Sequence, residues 1–450
     1  MSSLTIYDVA VVTVDDSNAV IDRGWVHVEG ERIVEIARGD VPRERRLADT
    51  AIDGSGMALI PGLVNGHTHL FQTMFRGLGD DKSLLEWLRD YIWPAAGHMT
   101  NADLAAATAV GIAENFLSGA TSIIDHQYVH PVDGMDEAAL QIAEQMGARY
   151  TLASGWADRN YHPPLMETLD AIVARAETTA AQWHGRSGRL AMGLAPLIPW
   201  GCSDDAMRAT VNANRRWGGG THTHCSETAV EIQISLDERG LRHVPWLASL
   251  GALGSDVQLA HSVWVDENDL DLIAASGSVV VHCPVSNMYL AAGVAPVPEM
   301  RRRGIPVALA SDGPGSNNRQ DMFEVLKASV LLQKVHHLDP VIMQPEDALN
   351  MACRGGAAAM QMSDDLGAIE VGRLADLVLI DLRSPFIAPV HRVVSALVFN
   401  ATPRDVKATI VAGQVVAREG ELLTGDIGSI MAEAETRCRA LFERSGLRRR

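Results

Sequence analysis

The stretch Leu59-Ile60-Pro61-Gly62-Leu63-Val64-Asn65-Gly66-His67-Thr68-His69 runs from buried-type apolar residues directly into two histidines. In an extended chain residues i and i+2 share a face, so His67 and His69 leave the C-terminal end of a strand side by side. Two neutral imidazoles on one face make half a site for a borderline metal such as zinc. Alone, His-x-His is a weak signal, equally consistent with a polar strand end.

The same design recurs downstream. Thr221-His222-Thr223-His224-Cys225-Ser226-Glu227 follows the Gly218-Gly219-Gly220 turn, Val257-Gln258-Leu259-Ala260 ends in His261, and Val307-Ala308-Leu309-Ala310-Ser311 ends in Asp312. A single strand-end His or Asp is more often a cap or a hydrogen-bonded core group. Four strand ends carrying potential metal or acid–base groups point instead to one shared site. Between them, from 59 to 363, short apolar strands alternate with Ala- and Leu-rich helical segments such as Ser83 to Tyr91 and Asp103 to Leu117. That alternation over about 300 residues predicts an α/β fold with a parallel (β/α)8, TIM-like barrel, whose chemistry sits at the C-terminal ends of its strands.

Residues 1–58 read differently, as alternating strands around a Gly30-Glu31 turn, and the same texture returns in Asp376 to Asp381, Val394 to Val398 and Thr409 to Val416. We expect 1–58 and 364–424 to build one composite β-sandwich, 59–363 the barrel, and 425–450 a C-terminal helix. The triplet Arg448-Arg449-Arg450 then caps that helix as a solvated basic end.

Composition sets outer bounds. The 450 residues are 47% hydrophobic and 21% charged, an ordinary globular balance. With 56 acidic against 38 basic residues, the formal charge of −18 repels phosphate backbones and anionic lipid, which argues against a nucleic acid polymer or a membrane as partner. Five scattered cysteines contain no C-x-x-C pair, and the N-terminus lacks a basic region before a long apolar run, so a soluble protein of the reducing cytoplasm is expected.

The ordered motifs P-G-L-V-N-G-H-T-H (61–69), T-H-C-S-E (223–227), L-A-H-S (259–262), H-C-P-V-S-N (282–287) and A-S-D-G-P-G-S-N-N (310–318) resemble the amidohydrolase superfamily, in its mononuclear deaminase branch. The likeness extends over nearly the whole chain, including the return segment Gly367 to Val378. It implies His67 and His69 as metal ligands from the first barrel strand, His224 from the fifth and Asp312 from the eighth. Glu227, three residues after His224, sets that choice and leaves His222 a supporting or packing group; no role follows for His282.

A bound divalent metal, zinc or else iron, makes a water nucleophilic at neutral pH. By the resemblance Asp312 accepts the water's proton, His261 orients the nucleophile, and Glu227 carries a proton to a ring nitrogen and then to the departing amine. A non-catalytic metal protein would need neither Glu227 nor His261. Binuclear relatives bridge two metals with a carboxylated lysine, but the only lysine between His69 and Asp312 is Lys82, outside the middle strands. One metal is therefore expected.

The substrate expected is an aromatic N-heterocycle that loses an exocyclic amine as ammonia. Gln72 matches a glutamine that reads the base edge in guanine deaminases, and Asp125 to Pro131 resembles the third-strand loop of oxoguanine and pterin deaminases, which favours those bases. Val294 to Met300 is shared with s-triazine and thioadenosine deaminases alike. The alternatives are an s-triazine hydrolase that displaces chloride or an amine, and a methylthioadenosine- or adenosylhomocysteine-type deaminase. The latter usually carries a histidine where this chain reads Ala195-Pro196-Leu197-Ile198-Pro199-Trp200. Trp87, Tyr128 and Trp200 are the candidates to line or stack on a flat ring. The resemblance also implies a homo-oligomer, a dimer or larger.

Overall fold

The computed structural model describes residues 2–447, so the triplet Arg448 to Arg450 lies outside the described residues. The N-terminal segment folds as the antiparallel meander β1 (Ser3–Val12), β2 (Val20–Glu29) and β3 (Arg32–Arg38). Beside β1, and parallel to it, run β4 (Thr50–Asp53) and β5 (Met57–Pro61). The barrel follows as β6 (Leu63–Thr68), β7 (Ala120–Gln127), β8 (Arg149–Trp156), β9 (Leu190–Pro196), β10 (Thr221–Cys225), β11 (Val257–His261), β12 (Val279–His282) and β13 (Val307–Leu309). The chain then returns through β14 (Leu377–Asp381), β15 (Val406–Val411), β16 (Gln414–Arg418) and β17 (Glu421–Leu422).

Both ends of the chain contribute to one nine-stranded sheet, ordered β17-β16-β15-β14-β5-β1-β2-β3 with β4 against β1. It curls around its own core, where Ile33 of β3 and Ile410 of β15 belong to one buried cluster. Its two hairpin turns meet at Gly413, where a Cβ would stand 2.2 Å from the Gly30 carbonyl oxygen. The unit is thus a single continuous sheet. It also extends further than 1–58: β5 pairs antiparallel with β14, which places residues 59–61 in this sheet and the passage into the barrel at Gly62. A Cβ there would lie 2.0 Å from Thr121 Oγ1, so the chain turns where only glycine fits. Because β5 and β6 are both apolar and adjacent, periodicity alone reads them as one strand.

The eight barrel strands form two parallel runs, β6 to β9 and β10 to β13. Most of their residues are buried on both faces, as expected for strands covered by helices outside and by side chains within. The two seams close at site residues. The His224 amide donates to the Leu197 carbonyl at 3.4 Å, and the Asp312 amide donates to the His67 carbonyl at 3.0 Å. The C-terminal helix, Ile427–Ser445, lies on the helix Asn101–Leu117, with Leu441 and Phe442 buried and Phe442 stacked on Phe75 at 6.3 Å. Among the described residues no helix is long and apolar enough to cross a membrane.

Barrel and terminal sheet are joined by a buried ion pair. Arg149, at the start of β8, donates from Nε and Nη2 to the two carboxylate oxygens of Asp376 at 2.8 and 2.9 Å, and Asp376 also accepts the Ala412 amide at 2.8 Å. Removing one partner of such a pair leaves an uncompensated charge in the interior, at a cost of about 3–5 kcal/mol. Arg149→Ala is expected to lose that much in urea unfolding; a loss below about 1 kcal/mol, the size of an exposed pair, would assign the junction to packing.

Candidate metal centre and active site

The strand-end residues converge. The Nε2 atoms of His67 and His69 stand 3.3 and 3.4 Å from Asp312 Oδ1, and His69 Nε2 is 3.2 Å from His224 Nε2. All four side chains are buried. Burial holds the imidazoles neutral: it lowers His67 and His224 and takes His69 down to about 3. For Asp312 burial would act upward, yet the close approach of His67 and the surrounding imidazoles hold it well below the usual carboxylate range. Neutral imidazoles beside an ionised carboxylate are the protonation states a metal requires of its ligands.

The outward atoms are fixed as well. His69 Nδ1–H donates to the His126 carbonyl at 2.7 Å and His224 Nδ1–H to the Leu197 carbonyl at 2.6 Å, which turns both Nε2 lone pairs inward. Asp312 is clamped with Oδ1 inward, since Oδ2 accepts the hydroxyls of Ser286 and Ser316 at 2.5 and 2.9 Å. His67 Nε2 is buried without a hydrogen-bond partner, as an atom aimed at a metal would be. The three imidazoles of His67, His69 and His224 and one carboxylate oxygen of Asp312, in approaches of 3.2 to 3.4 Å, fit a single divalent ion such as zinc.

His261, at the end of β11, faces the same centre. Its Nδ1–H donates to Asn287 Oδ1 at 3.0 Å, leaving Nε2 as an acceptor 3.6 Å from Glu227 Oε2. Burial, with Glu231 and Asp312 nearby, pushes the Glu227 carboxyl well above the usual range, so a protonated form is accessible near neutrality. Local sequence places Glu227. It precedes the helix Ala229–Arg239, whose Thr228–Glu231 capping box fixes the turn, and the Glu231 carboxylate is further held by Trp200 Nε1 at 3.2 Å. His261 and Asp312 adopt φ of 71° and 62°, a left-handed backbone that costs non-glycine residues about 1–3 kcal/mol and is tolerated where function fixes the side chain.

A pocket with about 430 Å³ of empty space opens over the cluster. Gln72, Trp87, Tyr128 and Trp200 all line it, together with His69, His224, Glu227, His261 and Asp312. Sequence reading gave no such role to Leu84, Leu88, Tyr161, Leu197, Ile198, Leu290 and Ser316, which complete the wall. They come from loops and helix faces that no strand-end pattern marks. It also gave no role to Asn287 or Ser286, although both lie within the H-C-P-V-S-N motif.

One expectation changes: Asp125 to Pro131 spans the end of β7, the second barrel strand, and the residues after it, and is not a third-strand loop. Most of it serves the scaffold: Asp125 accepts the Leu70 amide at 2.9 Å and the Tyr150 hydroxyl at 2.5 Å, and His130 bonds Asp136 at 2.8 Å. Only Tyr128 of this loop lines the pocket. Gln72 is oriented within the protein, its Oε1 accepting the Gly315 amide and its Nε2 donating to the Tyr128 hydroxyl, both at 3.3 Å, which leaves one N–H and one lone pair of the amide for a ligand. His126 joins the histidine cluster unforeseen, with a ring nitrogen within 4.8 Å of the ligating atoms of His67, His69 and His224. His282 is buried outside that cluster, and burial lowers it to about 3.

Known proteins share this arrangement. The 5'-deoxyadenosine deaminase of Methanosarcina mazei is 34% identical over 99% of both chains. The 5-methylthioadenosine/S-adenosylhomocysteine deaminase of Halobacterium salinarum is 36% identical over 96% of each. The crystal structure of an adenosine deaminase from Xanthomonas campestris with bound zinc superposes with a TM-score of 0.91 at 28% identity, over 98% of this chain and 99% of that one. These relatives do not support the guanine-, oxoguanine- or pterin-like preference expected above, nor the s-triazine alternative, and fit the methylthioadenosine- or adenosylhomocysteine-type alternative better. The sequence profile of the amidohydrolase family matches residues 58–416, terminal-sheet strands and all eight barrel strands included, and the chain belongs to that family.

Proposed function

We propose that the protein is a hydrolytic deaminase of adenosine-type nucleosides whose 5' position carries a small uncharged group. The observation that supports it most is the pocket: Glu227, His261 and Asp312 stand over the histidine cluster, while the remaining wall holds no other acidic side chain and no lysine or arginine among the described residues. A 5'-phosphate would find no cationic partner there, and its desolvation would go uncompensated. Apolar side chains such as Leu84, Leu88 and Leu290 suit a 5'-deoxy or methylthio group. Relatives that act on 5'-modified adenosines agree with this reading.

His67, His69, His224 and Asp312 would hold one divalent ion, which when bound supplies Lewis acidity and an activated water at neutral pH. Asp312 Oδ1 and His261 Nε2 face that position, and His261 orients the attacking water because Asn287 fixes its tautomer. Glu227 gives its proton to the ring nitrogen next to the amine-bearing carbon while Asp312 takes one proton of the water; Glu227 then takes the new hydroxyl's remaining proton and passes it to the amine, and the proton on Asp312 returns to Glu227. A C–O bond forms, the C–N bond breaks, and the products are a lactam base and ammonia. Zinc is the metal we favour for a set of three imidazoles and a carboxylate.

The test is turnover of a panel by zinc-loaded protein. 5'-Deoxyadenosine and 5'-methylthioadenosine should exceed guanine, pterin and amino-s-triazines in kcat/KM, and adenosine 5'-monophosphate should be a poor substrate. A higher kcat/KM for guanine, or for the nucleotide, would overturn the assignment.

A further inference from the structure

His222 stands one pleat before His224 on β10, and the chemistry described above does not use it. Its Nε2 is 2.7 Å from Nδ1 of His67. The two rings are nearly coplanar, at 14°, with centroids 4.9 Å apart. At that nitrogen–nitrogen distance this is the separation of two imidazoles joined edge to edge through one hydrogen bond, not of two rings stacked face to face.

Comparison with the other ligating histidines shows why this matters. His69 and His224 each direct Nδ1–H to a backbone carbonyl, an acceptor that cannot change role. His67 alone relies on a side chain. When Nε2 of His67 gives its lone pair to the metal, the proton of His67 lies on Nδ1, so His222 Nε2 must accept and the proton of His222 must lie on Nδ1. Among the described residues that Nδ1 has no partner. His222 lines a small cavity beneath the centre with Thr151 and Gln258, and Thr151 Oγ1 and Gln258 Nε2 are also buried without protein partners. Three such atoms around one cavity mark a hydrated site, since buried polar groups left over by the protein are satisfied by ordered water.

We propose that His222 is a positioning residue for the metal centre: it accepts the His67 Nδ1–H bond, fixes the tautomer that presents His67 Nε2, and is itself held by water in the cavity below. The inference rests on the single-metal reading of the cluster. Outer partners of this kind typically contribute 10- to 100-fold to metal affinity.

Zinc affinity of the parent, His222→Leu and His222→Gln, measured by competition with a chromogenic chelator, tests it without reference to turnover. His222→Leu should bind zinc about 10- to 100-fold more weakly. His222→Gln, whose Oε1 can accept the same bond, should recover most of that loss. Unchanged affinity in His222→Leu would overturn the role, whereas a parent that binds no zinc would overturn the metal reading itself. Should the leucine variant not fold, nitrogen-15 spectra of histidine-labelled zinc-loaded parent decide the matter. The role predicts His222 neutral with its proton on Nδ1, and a proton on its Nε2 would contradict it.

Discussion

Glu227→Gln is expected to keep its metal and to lose turnover by about 10²- to 10⁴-fold, the usual worth of a positioned acid–base group. The substitution preserves shape and hydrogen bonding but removes the transferable proton. Because Glu227 lies outside the four-ligand cluster, its loss should leave zinc stoichiometry and unfolding midpoint near the parent values. Burial beside Glu231 and Asp312 raises its pKa, so the protonated form persists toward neutral pH. The rate of the parent should accordingly fall as pH rises through that raised value and Glu227 loses its proton. The residual rate of the glutamine variant should lack this alkaline limb. Parent-like kcat in Glu227→Gln would remove Glu227 from the mechanism.

Loss of the metal should be equally severe. Chelation of the parent is expected to bring ammonia release down to background, and added zinc to restore it. His224→Ala should stay inactive after the same addition. His224 is the sharpest choice because it also stitches the barrel seam through its backbone, which alanine retains, so the variant tests the imidazole and not the fold. Zinc should also stabilise the parent by linkage, by about 2.7 kcal/mol at a free concentration of 100 Kd, and His224→Ala far less. Full activity in the chelated parent would refute a metal-dependent reaction.

Much of this site could be read from the chain because barrel strands end at the site. His67, His69, His261 and Asp312 each follow an apolar run and His224 closes a second His-x-His pair, and a fold that gathers strand ends brings such residues together whatever their separation in sequence. Gln72, Trp87, Tyr128 and Trp200 were placed in the pocket by motif and by neighbourhood. Substrate preference was less legible. Gln72 carries a donor and an acceptor in sequence, and folding turns that amide with bonds to Gly315 and Tyr128, partners that no local pattern marks. The missing histidine near Leu197 argued against adenosine-type substrates, yet one position does not define a pocket whose wall includes Tyr161, Leu84 and Leu290 from distant segments. The Pro61-Gly62 break between two apolar strands was invisible to periodicity for a similar reason. Pairing of β5 with β14 is a contact across more than 300 residues, and such partners leave no local pattern.

The central claim is hydrolytic loss of an amine, and one measurement addresses it directly: product analysis after reaction of the zinc-loaded protein with 5'-deoxyadenosine in oxygen-18 water. The account predicts one ammonia released per nucleoside consumed and one heavy oxygen in the base of the product, at the carbon that carried the amine. Unchanged nucleoside, or ammonia release with no heavy oxygen in the product, would contradict it.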